Sequence, residues 1–88
     1  MDTWECKVLT TFLKGDRLTK IPDTRKKRDV ILRWLARQFE KDKQYLEREV
    51  NAIIKQYHPD CATLRRELIG ARLMRRERSI YWRSREVA

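Results

Sequence analysis

The sequence predicts a small, mainly α domain closed by a β-hairpin, and three observations carry that expectation. Apolar residues recur at helical spacing in four separate stretches. Gly15, Pro22 and Pro59 punctuate those stretches, and two short runs of strand composition stand together near the C-terminus. With 88 residues there is room for one modest core, and no low-complexity tail, internal repeat or Gly/Ser linker divides the chain.

Trp4, Val8, Leu9, Phe12 and Leu13 repeat at helical spacing and Gly15 offers a stop, so a first helix is expected within residues 1–16. Residues 17–22 read as extended, because Pro22 holds Ile21 away from the helical region. Asp23 or Thr24 is placed to cap a second helix, accepting from the free N–H groups of its first turn. That helix carries Val30, Ile31, Trp34, Leu35, Gln38 and Phe39 along one side. Gln44 and Tyr45 then fit a short strand. Val50, Ile53, Ile54 and Tyr57 follow at i, i+3, i+4 and i+7, the cleanest helical period in the chain, and Pro59 ends it. Asp60 opens a fourth helix with Cys61, Leu64 and Leu68 inward. Residues 73–76 and 79–82 flank Glu77-Arg78 as a hairpin.

Helix, helix, tight turn, helix, hairpin is the order of a winged helix-turn-helix, here preceded by an extra N-terminal helix. The expected division is residues 1–16 for that helix and 17–88 for the winged domain. In such folds the second helix of the turn motif enters the major groove and the hairpin lies against the backbone or minor groove.

Lysine and arginine number 22 against 13 acidic residues, a net charge of +9. Such an excess favours a polyanionic partner, since each phosphate neutralised releases condensed counterions. No apolar run approaches the roughly 20 residues that span a bilayer, and the N-terminus lacks a signal-peptide apolar region. The two cysteines, Cys6 and Cys61, are far apart and form no CxxC pair, so reduced thiols and a cytoplasmic location are expected.

One stretch, HPDCATLRRELIG from His58 to Gly70, admits two readings. It holds the only histidine beside an aspartate and a cysteine, the material of a metal or catalytic site. Zinc wants four ligands in a recognised spacing. Here Cys61 belongs to the inward stripe, and no ligand pattern emerges. A hydrolase or transferase needs a second base and an oxyanion or phosphate cradle, and the chain has two glycines and no Gly-rich loop. No enzyme activity, metal or cofactor is expected. Read as a helix start, Asp60 caps the helix and His58 packs or hydrogen-bonds in the turn. Ala62 and Thr63 are small enough for close approach to a groove. Arg65 and Arg66 are placed to meet guanine edges or phosphates, with a salt-bridged face as the competing reading.

Three further groups complete the candidate site. Arg25, Lys26, Lys27 and Arg28 stand at the positive end of the second helix, a placement that costs a little stability and suits a phosphate-facing cluster or a solvated turn. Arg75, Arg76 and Arg78 surround the hairpin. Beside them Tyr81 and Trp82 offer base stacking or, as the plainer reading, core packing with Trp82 closing over Trp34. Trp4, Val8, Leu9 and Phe12 form an apolar stripe expected to meet a second copy in a homodimer.

The sequence also resembles a bacterial family known as domain of unknown function 2087 (DUF2087). The matching pieces include Phe12 to Gly15, Leu18 with Ile21-Pro22, Arg25 to Arg28 followed by Ile31 to Ala36, and Tyr45. Further on they include residues 47–51, His58-Pro59-Asp60, residues 62–68 and Tyr81-Trp82-Arg83. The resemblance implies a DNA-associated regulator of transcription, here without a separate sensor domain. Two positions depart from it. Leu46 stands where the family usually has threonine or serine, removing a hydroxyl cap and the reciprocal partner of Glu49. Arg72 stands where glycine is usual, so a different exit from the fourth helix is expected. The function expected is a sequence-specific regulator of transcription that binds double-stranded DNA. Its rival is an interaction module docking through its basic face on RNA polymerase or another regulator.

Overall fold

The computed structural model describes residues 2–85 and 87; residues 1, 86 and 88, which fall within the expected domain bounds, lie outside the described residues. Those described form four helices and two small antiparallel sheets, in the order α1 (Thr3–Phe12), β1 (Leu13–Lys14), β2 (Arg17–Leu18), α2 (Arg25–Ala36), β3 (Gln44–Leu46), α3 (Glu47–Lys55), α4 (Cys61–Gly70), β4 (Met74–Glu77) and β5 (Ile80–Arg83).

The Asp2 side chain caps α1 by accepting the Glu5 N–H at 2.8 Å. The helix ends earlier than its apolar period suggests. Leu13 pairs with Leu18 and Lys14 with Arg17 in a hairpin that the apolar period does not reveal. Gly15 serves the turn of that hairpin at φ +63°, where a side chain is disfavoured. The apolar stripe of α1 packs within its own chain. Val8 is buried, Leu9 and Phe12 lie against the same core, and Arg33 Nη2 donates to Glu5 Oε1 at 2.9 Å across the α1–α2 contact. Of the four residues assigned to a dimer, only Trp4 is well exposed, at 45 %. The reason for expecting a second copy to cover the stripe is thereby largely removed.

Helix α2 is the centre of the core, burying Val30, Ile31, Leu32, Leu35 and Ala36. Thr24 is its N-cap, yet neither the Thr24 nor the Asp23 side chain makes the expected capping bond; the Thr24 carbonyl accepts from Arg28 N–H. The helix stops at Ala36, so Gln38 and Phe39 belong to the following turn. Phe39 reaches back into the core and meets Tyr45 edge-on at 5.2 Å. Tyr57 likewise lies beyond α3, where its ring meets Trp34 at 5.2 Å and its carbonyl accepts from Leu18 N–H.

Strands β3, β5 and β4 lie in that order, with Tyr45 opposite Tyr81 and Arg76 opposite Tyr81 on the other side. Strand alternation turns Tyr45, Tyr81 and Met74 into the core and leaves Gln44, Trp82 and Arg75 on the outer face. Trp82 therefore does not close over Trp34, whose ring partner is Tyr57. Tyr81 and Trp82 do face opposite ways, as neighbours on a strand must.

Leu46 caps α3 without a side-chain acceptor, while the Glu49 carboxylate accepts Leu46 N–H at 2.8 Å, so half of the reciprocal pair survives. Helix α4 ends in a Schellman motif. Leu73 N–H donates to the Leu68 carbonyl, Arg72 N–H donates to that of Ile69, and Arg72 itself sits at φ +61°. The arginine thus takes the left-handed backbone that glycine takes most easily. Arg72→Gly is expected to stabilise the fold by about 0.5–1 kcal/mol, the relief of a conformation costing about 1–2 kcal/mol less the added freedom of the unfolded chain. A higher urea midpoint at unchanged slope is the measurement that checks it.

Candidate nucleic-acid interface

Leu64 and Leu68 of α4 are fully buried, which fixes the rotation of the helix. The opposite face then carries Ala62, Arg66 and Gly70 at i, i+4 and i+8. Arg66 and Gly70 are exposed, and a Cβ added at Gly70 meets nothing within 4 Å. An arginine flanked by two small residues lets the backbone approach a surface closely. Thr63 lies beside this stripe and shares a shallow cavity with Arg66 and Glu67.

The two adjacent arginines divide their roles. Arg65 turns toward α3, where its Nη1 donates to Asn51 Oδ1 and its Nε stands 3.8 Å from Glu47 Oε1, leaving the side chain 15 % exposed. It braces α4 against α3 instead of pointing outward beside Arg66. The helix start behaves as read from the sequence. Asp60 Oδ1 accepts from Thr63 N–H at 3.2 Å, and His58 Nδ1 accepts from Asp60 N–H at 3.0 Å. Hydrogen bonds from Thr63, side chain first, hold the Asp60 carboxyl below the ordinary carboxylate range.

Behind α4, Glu47 accepts the Tyr81 hydroxyl at 2.6 Å. That bond, aided by Arg65 and Arg76, draws the Glu47 carboxyl down, while burial and then the bond to Glu47 push the Tyr81 phenol up. A depressed carboxylate adds stability that is present above its unfolded pKa and lost as pH falls through its folded pKa. A raised phenol adds stability that is present below its unfolded pKa, about 10, and lost as pH rises through its folded pKa. Stability is therefore expected to be flat between the two ranges and to fall on either side. Tyr81→Phe should remove the alkaline decline that Tyr81 causes and soften the acid one, as read from urea midpoints across pH.

The basic residues form a broader band than the sequence indicates. Arg25, Lys26 and Lys27 are exposed at the start of α2, whereas Arg28 is half-buried and its Nε lies 3.8 Å from Glu67 Oε1 on α4. Arg25 lines a cavity of about 240 Å³ with Asp29, Arg33 and residues 70–73. Arg72 belongs to that cavity and also to one of about 310 Å³ shared with Ile69, Met74, Arg75 and Arg76. Arg72 thus joins the start of α2 to the first strand of the hairpin. Neither Arg33 nor Arg72 is among the site residues expected from sequence. The spacing of Arg25, Asp29 and Arg33 at i, i+4 and i+8 is the signal that places Arg33 on the face of Arg25.

In the hairpin, Arg76 lies over the Tyr81 ring, 5.2 Å from its centroid, and its Nε donates to the Arg78 carbonyl at 3.0 Å. Arg78 is at the turn with φ +58°. Arg75 is on the other face of the strand, so the hairpin arginines do not act as one row. Cys6 and Cys61 are free thiols. Among the described residues no cluster of three His, Cys, Asp or Glu side chains is placed to hold a metal ion, and no helix is long and apolar enough to cross a membrane.

Residues 17–83 match the model of a family described as an uncharacterized protein conserved in bacteria, DUF2087. No curated protein and no solved structure matches the chain. The match runs from β2 to the last residue of β5 and so takes in the whole band from α2 through α4 to the hairpin. The chain is a member of the DUF2087 family.

Proposed function

We propose that this is a winged helix-turn-helix protein of the cytoplasm that binds double-stranded DNA in a sequence-dependent way and regulates transcription. The order α2-β3-α3-α4-β4-β5 and the sheet order β3-β5-β4 support the winged reading, with α4 as the groove-entering helix and β4-β5 as the wing. The observation that carries the DNA reading is the outward stripe of α4. It presents Arg66 between Ala62 and Gly70, beside a basic band running through Arg25, Arg72 and Arg76. Arg66 suits a guanine edge, and the band suits the flanking phosphates. The net charge of +9 supplies the long-range attraction.

Selection from a random duplex pool at fixed salt tests the proposal. Enrichment of a common sequence is the expected result. Binding without enrichment, together with capture of an acidic surface of RNA polymerase or another regulator, would transfer the basic face to protein docking.

A further inference from the structure

We propose that the outer face of the β3-β5-β4 sheet carries a nucleotide site, with the base against Trp82 and the phosphate held by Lys41, Ser84 and Arg85. The pairing register places Gln44, Trp82 and Arg75 in one row across the three strands. With Asp42, Arg83 and Arg85 they line a cavity of about 410 Å³, the size of a small-ligand pocket. A second cavity of about 240 Å³ adjoins it, sharing Asp42, Arg83 and Arg85 and adding Lys41 and Ser84.

Each part of a nucleotide has a counterpart there. The indole of Trp82 is a wall on which any base can stack. The Gln44 amide offers both a donor and an acceptor to a base edge, and the Asp42 carboxylate accepts from sugar hydroxyls. Among the described residues that line the two cavities, Lys41 and Arg85 bring cationic side chains beside the Asp42 carboxylate, and a phosphate suits them. Arg83 is itself anchored, donating to the carbonyls of Phe39 and Val87 at 3.1 and 3.3 Å, and so keeps the wall in place.

Ser84 supplies the independent observation. It is 2 % exposed, and its hydroxyl has no hydrogen-bond partner among the described residues. A buried hydroxyl left unpaired is costly, and because Ser84 lines the smaller cavity, rotation of its side chain toward a phosphate oxygen there would satisfy it. The site uses none of the outward stripe of α4, so it stands or falls apart from the duplex reading.

The test is titration of the whole chain with adenosine monophosphate, adenosine, inorganic phosphate and a four-nucleotide single strand, followed by backbone and indole NMR shifts. Saturable shifts confined to residues 41–44, 75 and 82–85 are expected. Trp82→Ala should weaken nucleotide binding roughly 5- to 100-fold, and Trp82→Phe should retain most of it. Arg85→Gln, exposed and outside the sheet, should weaken the monophosphate but leave adenosine unchanged. Tighter binding of the strand than of the monophosphate would assign the site to a base within single-stranded nucleic acid, and equal affinity to a free nucleotide. Non-saturating shifts, shifts centred elsewhere, or undiminished binding in a folded Arg85→Gln variant would overturn the proposal.

Discussion

Arg65→Ala is expected to lower the stability of the fold and Arg66→Ala to lower affinity for DNA, a separation of effects between two adjacent residues of the same type. Arg65 is 15 % exposed and joins α4 to Asn51 and Glu47 of α3. Its removal leaves Asn51 without its donor and the two helices without their charged brace. A charge-assisted hydrogen bond contributes about 1.5–3 kcal/mol, and the loss should fall in that range. Arg66 is exposed and supports nothing in the core, so its replacement should change stability by no more than about 0.5 kcal/mol. If Arg66 makes a bidentate contact to a base, the same replacement should remove about 1–3 kcal/mol of discrimination between the preferred duplex and single-base variants. Arg65→Ala, assayed at a temperature where it is folded, should keep that discrimination. Urea melts and competition binding on both variants provide the comparison. An Arg66→Ala protein with unaltered preference would remove α4 from the reading role.

The same pair shows where the sequence is informative and where it is not. Leu64 and Leu68 mark the buried side of α4 by their spacing alone, as Val50 and Ile54 do for α3, and both pairs are buried in the fold. Successive residues on a helix differ by about 100°, so Arg65 and Arg66 leave the helix in different directions. Which of them turns inward depends on Asn51 and Glu47, partners on another helix that no local period reveals. Strands of two residues carry no period either, which is why Leu13 reads as a continuation of α1 and Gly15 as its stop. The apolar stripe of α1 is visible in the sequence, but the partner that covers it is not. A stripe facing α2 and a stripe facing a second copy look alike until the chain is folded. Arg72 is the reverse case. Its own side chain gives no sign of a left-handed backbone, whereas the glycine usual at that position in the family does, and the Schellman bonds show the arginine adopting that conformation.

The basic turn of α2 is expected to act on DNA in a way that does not depend on base sequence, and changing Lys26 and Lys27 to Gln should show it. Both are exposed, whereas Arg28 already faces Glu67. If the lysines hold phosphates, the double variant should weaken a selected duplex and an unrelated one by similar factors. Its plot of log affinity against log salt should become shallower by about 0.9 for each phosphate that is no longer neutralised. Arg28→Gln is the informative control. Its pair with Glu67 contributes no more than about 1 kcal/mol to the fold, and breaking it leaves the Glu67 carboxylate less neutralised on the face that carries Thr63 and Arg66. That variant should therefore lose affinity through repulsion and through removal of a cation together. The lysine pair should lose it through counterion release alone. A lysine double variant with an unchanged slope marks the turn as a solvated face. One that binds both duplexes normally yet no longer alters transcription marks it as a docking surface for acidic protein. Only a shallower slope on both duplexes, with base preference intact, assigns these side chains to the phosphate backbone and leaves the reading of sequence to Arg66 and its small neighbours.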